Sequence, residues 1–278
     1  MKNKLNENEL KRILVEGLCV FKDVCQNYGI MWFLAYGSLI GAVRHKGFIP
    51  WDDDIDVLVP RSDYENLRKY IDDINTNSSN WELLSYTDNQ EFLMPYMKFC
   101  NKRTVVTPSR FSNGFIYGIS IDIFPLDFSD EPDAIIEKNV KQIKKQLHDL
   151  EHRAHKFGII KTGFIFAVKR LIKMFFYYIN NKQDELIAAY SDVDKYLSKL
   201  SKSNGANAFY SFDLYNSIWK RNMFLGENDE ISYVEFEDHI FNAPYNYDAV
   251  LRVTYGNYME LPPTEEQVTR HTFEAYFK

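Results

Sequence analysis

Five residues, Asp52-Asp53-Asp54-Ile55-Asp56, run straight into the apolar stretch IDVLVP, Ile55 to Pro60. A short branched-apolar run bounded by turn signals reads as a buried strand. Charges at the head of such a strand are costly unless something compensates them. Side chains two apart in a strand leave the same face, so Asp54 and Asp56 project together. Two like charges that close repel unless a cation lies between them. A ligand set made only of oxygen suits Mg²⁺ or Mn²⁺, which also hold substrate phosphates.

The elements around this run follow from periodicity. Leu10, Ile13, Leu14, Leu18, Phe21, Val24, Cys25 and Tyr28 recur at helical spacing, which predicts an amphipathic helix ending at Gly29. Ile30 to Tyr36 is expected as a buried strand. Gly37-Ser38 breaks it, and Ser38 is expected to cap a short helix over 39–45. Ser62 with Glu65 reads as a capping box for a helix lined by Tyr64, Leu67, Ile71 and Ile74. After the loop 75–80, the runs WELLSYT, LMPYMKF, RTVVT and GFIYGISIDIF read as strands. The order is α/β (α+β): a mixed sheet with flanking helices.

A third carboxylate comes from the last of those strands. Ile119, Ile121 and Ile123 share one face, and Ser120, Asp122 and Phe124 share the other. Asp122 is therefore the polar residue on an otherwise apolar strand and the candidate to join Asp54 and Asp56. In two-metal sites ions about 3.5–4 Å apart stabilise the attacking and leaving oxygens of an in-line displacement. All three aspartates are candidate metal ligands and catalytic groups. Asp122 is either a third ligand or the base that takes a hydroxyl proton, and both stay open. Asp52 and Asp53 are read as ordering the loop, and Asp127 as capping a turn after Pro125.

Gly37 and Ser38 offer backbone N–H groups at a helix start, a natural phosphate cradle. Arg44, His45 and Lys46 lie between that turn and the aspartates and are candidates to neutralise a diphosphate. Trp51, Tyr36 and Phe48 are candidates to stack on a base or enclose a cation, with core packing the expected role for at least two of them.

The chain has 278 residues, 45% hydrophobic and 16% aromatic, with net charge −6. That size needs no disulfide or metal staple, and the negative charge argues against a nucleic-acid partner. The three cysteines, Cys19, Cys25 and Cys100, form no paired framework and no zinc site. We expect residues 1–132 to form a catalytic core, 133–209 a lysine-rich helical insertion, and 210–278 a C-terminal segment packing back on the core. SNGANAF, 203–209, reads as a linker, and strands are expected near Met223 and Val234. The first residues lack a signal peptide's apolar stretch, and no uninterrupted run is long enough to span a bilayer. The basic aromatic stretch 161–182 is expected as an amphipathic helix suited to an anionic membrane surface. The expected location is cytoplasmic, with contact at the inner face of the membrane.

The stretch YGSLIGAVRHKGFIPWDDDIDV, Tyr36 to Val57, resembles the signature of the LicD family. GISIDIFPLD, Gly118 to Asp127, resembles its second block, and YDAVLRVTYGNYMELPP with Arg270 and His271 its closing block. The resemblance implies a nucleotidyltransferase-like fold with a Gly-Ser turn, a DxD pair and a third carboxylate, matching Gly37, Ser38, Asp54, Asp56 and Asp122. The gap from Ser38 to Asp54 is longer than in many members of that superfamily, so the HKGFIPW loop is extra material. It further implies transfer of phosphocholine or an alditol phosphate from a CDP-linked donor such as CDP-choline. The acceptor would be a hydroxyl of a cell-surface glycan or a lipid-linked oligosaccharide, with CMP released. Arg270 and His271 are candidates to bind donor phosphate. Two alternatives stand beside this: nucleotidyl transfer to a sugar or small molecule, and a non-catalytic nucleotide-binding assembly protein.

Overall fold

The computed structural model describes residues 4–107, 115–154, 183–201, 205–209, 218–269 and 273–278. The stretch 161–182 and the residues Arg270 and His271 lie outside it.

The first helix, α1 (Glu7–Tyr28), forms where the apolar spacing predicts and ends at Gly29 in the left-handed conformation. Asn6 and Glu9 close its start in a reciprocal capping box. Its buried face, including Leu14, Leu18 and Phe21, meets the main core, where Phe21 packs on Trp32 and Phe99.

The strand expected over 30–36 is reduced to β1 (Phe33–Leu34). Its end is claimed by α2 (Tyr36–His45), whose N-cap is Ala35 rather than Ser38. The reason lies in Ser38 itself: its buried hydroxyl accepts from the Asp56 N–H at 2.9 Å instead of from its own helix. Next come β2 (Asp56–Pro60), α3 (Arg61–Lys69) and α4 (Ile71–Asn77). The capping box expected at Ser62 does not form, since α3 starts at Arg61 with no side-chain cap. Glu65 pairs instead with Arg61 and Arg68. Helix α4 also takes up the first part of the expected 75–80 loop.

The chain continues with β3 (Trp81–Leu84), β4 (Met97–Asn101), β5 (Thr104–Thr107), which stands outside the main sheet, and the long β6 (Ser120–Ser129). Strand order is β1-β2-β6-β4-β3. Strands β2 and β6 run parallel, and the other pairs on this path are antiparallel. This is the mixed α/β sheet expected. Ile55 just before β2 with Val57 and Val59 in it, and Ile119 just before β6 with Ile121 and Ile123 in it, face the main core. Alternation sends Asp56 and Asp122 to the opposite face, with Leu58 and Phe124 beside a second apolar cluster.

Helices α5 (Asp133–Ala154) and α6 (Gln183–Leu200) pack together through Ile136, Val140, Leu186 and Tyr190. Residues expected within a linker instead form β7 (Asn207–Phe209), paired to the end of β6 and to β8 (Ile218–Lys220). The strand expected near Met223 is β8, and Met223 itself lies in the short helix α7 (Arg221–Phe224) that follows it. Val234 is in a strand as expected, β9 (Ser232–Phe236), hairpinned to β10 (His239–Ala243). Helix α8 (Tyr247–Tyr255) follows, and β11 (Glu274–Phe277) closes on β5.

The hairpin tip holds the extra loop before the aspartates. The Glu237 N–H donates to the Lys46 carbonyl at 2.8 Å, and its carboxylate accepts from the Phe48 N–H at 3.1 Å. Phe48 packs on Phe236 with ring centroids 4.9 Å apart. From the other side, α2 approaches so closely that a Cβ on Gly41 would collide with the Gly47 carbonyl oxygen, a backbone atom. Gly41→Ala is therefore expected to lower stability by about 1–3 kcal/mol, the usual cost of overpacking. Urea unfolding of the variant checks this.

Candidate active site

The site is built where β2 meets β6. In the parallel register Asp56 lies opposite Asp122, and the Asp122 N–H donates to the Ile55 carbonyl at 2.9 Å. The third carboxylate thus comes from the neighbouring strand and sits on the same sheet face as Asp56. Asp54 precedes it in the lead-in to β2, and its charge acts on Asp56. Burial first, then the charges of Asp54, Asp122 and Asp52, push the Asp56 carboxyl well above its ordinary range, with Lys98 opposing. The like charges that the sequence placed together do converge.

Lys98, on β4, is the residue sequence reasoning passed over. It pairs with Asp122 across the ladder, and its ammonium donates to Asp122 Oδ1. It also reaches Ser120 Oγ at 3.5 Å, and Ser120 in turn lies 3.5 Å from the same Oδ1. The ammonium lies 5.4 Å from the ring centres of both Tyr96 and Tyr117. The available signal was a lone charge in the otherwise apolar run LMPYMKF, mirroring lone Asp122 in its own strand.

Ser38 fixes the head of β2 through the Asp56 amide. The start of α2 favours an anion through its dipole and bare N–H groups, and Asp52 lies close beside it. A Cβ on Gly37 would lie 2.5 Å from Asp52 Oδ2. Of the cations proposed for the donor, Arg44 is turned to the C-terminal segment. It donates to the Tyr258 carbonyl at 2.6 Å and to His45 Nε2 at 2.9 Å. Burial and the Arg44 charge hold His45 below its usual range. Lys46 is exposed and ends α2 in the left-handed conformation. Trp51 is half-buried against the main core, and Phe48 is core. Tyr36 packs on Phe124, and Phe124 on Tyr96. The tail touches the acidic loop through Thr269, whose hydroxyl donates to Asp53 Oδ2 at 3.1 Å.

Asp127 caps no turn. It lies fully buried on β6 and takes both arms of the Arg61 guanidinium at 2.8 Å. Arg61 also donates to Asp194 of α6 at 3.0 Å, and Asp194 accepts from Arg68 and Tyr86.

Among the described residues, no group of three or more His, Cys, Asp or Glu side chains is already set to hold a metal ion. The donor chemistry nevertheless suits a hard divalent cation, because a half-buried carboxylate with like-charged neighbours is what such an ion neutralises. Asp54 and Asp56 carry that fit, since Oδ1 of Asp122 is already given to Lys98.

The protein is thus a mixed α/β domain that displays carboxylates on two adjacent strands, behind a glycine-serine helix start. This chain belongs to the LicD family: the domain described as LicD/FKTN/FKRP, nucleotidyltransferase domain, matches residues 29–171, just over half its length. It is 28% identical over 281 residues to the lipopolysaccharide cholinephosphotransferase LicD of Haemophilus influenzae, covering 98% of each chain. A shorter match, 36% over 62 residues, joins it to an uncharacterized protein of Rickettsia prowazekii, covering 22% of this chain and 21% of that one. Among the described residues no helix is long and apolar enough to cross a membrane.

Proposed function

We propose that this protein transfers a phosphocholine or alditol-phosphate unit from a CDP-linked donor to a hydroxyl of a cell-surface glycan, releasing CMP. The observation that carries this reading is the Asp56–Asp122 register, with Asp54 beside it, in a chain alike end to end to a cholinephosphotransferase. Asp54 and Asp56 would hold Mg²⁺ or Mn²⁺. The ion, when bound, neutralises the diphosphate and the developing charge on the leaving CMP.

The chain's own groups do the rest. Ser38 keeps the Asp56 backbone in place. Among the described residues, the contacts of the Asp122 carboxylate with Lys98 and Ser120 both fall on Oδ1. Oδ2 is then the atom that accepts the proton of the attacking hydroxyl. The buried ring of Tyr36 and the half-buried rings of Phe124 and Tyr96 form an apolar flank that limits water beside these acids. CDP-linked donors place the reaction in the cytoplasm, and a lipid-linked acceptor would bring it to the inner face of the membrane.

Incubation with CDP-choline, CDP-ribitol and CDP-glycerol, with Mg²⁺ or Mn²⁺, tests the reading. CMP release that depends on a glycan acceptor, with a phosphodiester product by mass, is expected from at least one donor. Pyrophosphate and a nucleotidylated product from a nucleoside triphosphate would establish nucleotidyl transfer instead. Nucleotide binding without turnover of any donor would mark a non-catalytic protein.

A further inference from the structure

Asp54, Asp56 and Asp122 gather three negative charges in one place, and Lys98 brings one positive charge among them. Its ammonium is buried, with the Lys98 residue only 7% exposed, and is held on several sides: by Asp122 Oδ1, by Ser120 Oγ and by two tyrosine rings. The sheet ladder fixes the pairing, since Lys98 stands opposite Asp122 in the β4–β6 register. A second ion bound through Asp122 Oδ1 would have to expel this ammonium, and one bound through Oδ2 would have to share the carboxylate with it. It would also sit next to a fixed positive charge, which weakens cation binding.

We infer that Lys98 is a positioning residue that withdraws Asp122 from the metal shell and fixes it as a separate acceptor group. Asp54 and Asp56 are left to seat one divalent ion. The acidic trio is thereby divided into a metal pair and a proton acceptor, and the site works with a single metal rather than a two-metal clamp. The inference rests on the metal reading of the site given above.

The test counts ions on the full chain with no donor present, using Mn²⁺ and equilibrium dialysis. Wild type is expected to bind one Mn²⁺ per chain, and Lys98→Arg the same. Lys98→Met frees Asp122, so it is expected to take up a second Mn²⁺ or to bind the first at least about tenfold more tightly. A purely structural Lys98–Asp122 pair would lower the melting temperature of Lys98→Met and leave Mn²⁺ binding unchanged, which overturns the inference. So does a wild type that binds two ions. If Lys98→Met fails to fold, the double variant Lys98→Met/Asp122→Asn decides. It removes the pair without leaving a lone charge and is expected to bind one Mn²⁺ about as tightly as wild type. Loss of the ion from the double variant would show Asp122 to be an indispensable ligand and sink the proposal. If no form binds Mn²⁺, the metal reading itself fails and takes this inference with it. That outcome differs from one in which wild type binds ions but Lys98 has no influence on them.

Discussion

Asp56→Asn is expected to cut CMP release by at least about a hundredfold and, in the same protein, to raise the melting temperature. The two effects have one cause. Asp56 is held in a half-buried place with Asp54, Asp122 and Asp52 around it, an arrangement that disfavours its charge. Such a carboxylate costs stability in the metal-free chain and serves only when a cation arrives. Asparagine keeps the shape and the backbone bond to Ser38 but removes the charge, so the repulsion disappears together with the ligand. Relief of about 1 kcal/mol would raise the midpoint by roughly 2–4 °C in a chain of this size. Turnover with the best CDP donor and a thermal melt without added metal measure the two halves.

Asp54→Ala and Asp122→Ala are expected to lose activity to a similar extent, but Asp122→Ala should melt lower than wild type, because it strands Lys98. One functional loss with opposite stability signs at Asp56 and Asp122 separates a carboxylate strained by its like-charged neighbours from one that is also paired with a lysine. If Asp56→Asn stayed active, Asp56 would be no ligand, and if it melted well below wild type, its charge would be paired rather than strained.

The parts of this site legible in the sequence are those set by local periodicity. Alternation along 119–124 separated Asp122 from its isoleucine neighbours, and that face is the one it occupies. The spacing of Asp54 and Asp56 likewise predicted carboxylates acting on one another, which they do. Lys98 was not legible as a partner because its meaning depends on strand order. Nothing local says that β4 lies beside β6 and opposite Asp122. The same reasoning explains the misread helix starts. Ser38 and Ser62 both have the chemistry of N-caps. Tertiary demands overrode it: Ser38 serves the Asp56 amide, and α3 begins at Arg61, which is drawn into the interior by Asp127 and Asp194. Arg44, placed in the sequence between a helix and an acidic loop, found carbonyls more than two hundred residues away.

Arg61→Met should be among the most destabilising single changes in the chain. The guanidinium joins Asp127 of β6, Asp194 of α6 and Glu65 of its own helix, so it ties the helical pair to the sheet. Burial works against its charge, and the two aspartates more than offset this, holding Arg61 above its ordinary range. Methionine fills much of the space but takes two charge-assisted hydrogen bonds from Asp127, which has no exposed surface. Breaking a buried pair by removing one partner costs about 3–5 kcal/mol, and a urea midpoint shift of that size is expected. Arg61→Met/Asp127→Leu should recover most of it, since no unpaired carboxylate is then buried at β6, while Asp194 keeps Arg68 and Tyr86. Recovery would locate the cost in a stranded charge rather than in lost packing. A single variant within about 1 kcal/mol of wild type would contradict this, because another donor or water would then have to reach Asp127 as well as Arg61 does.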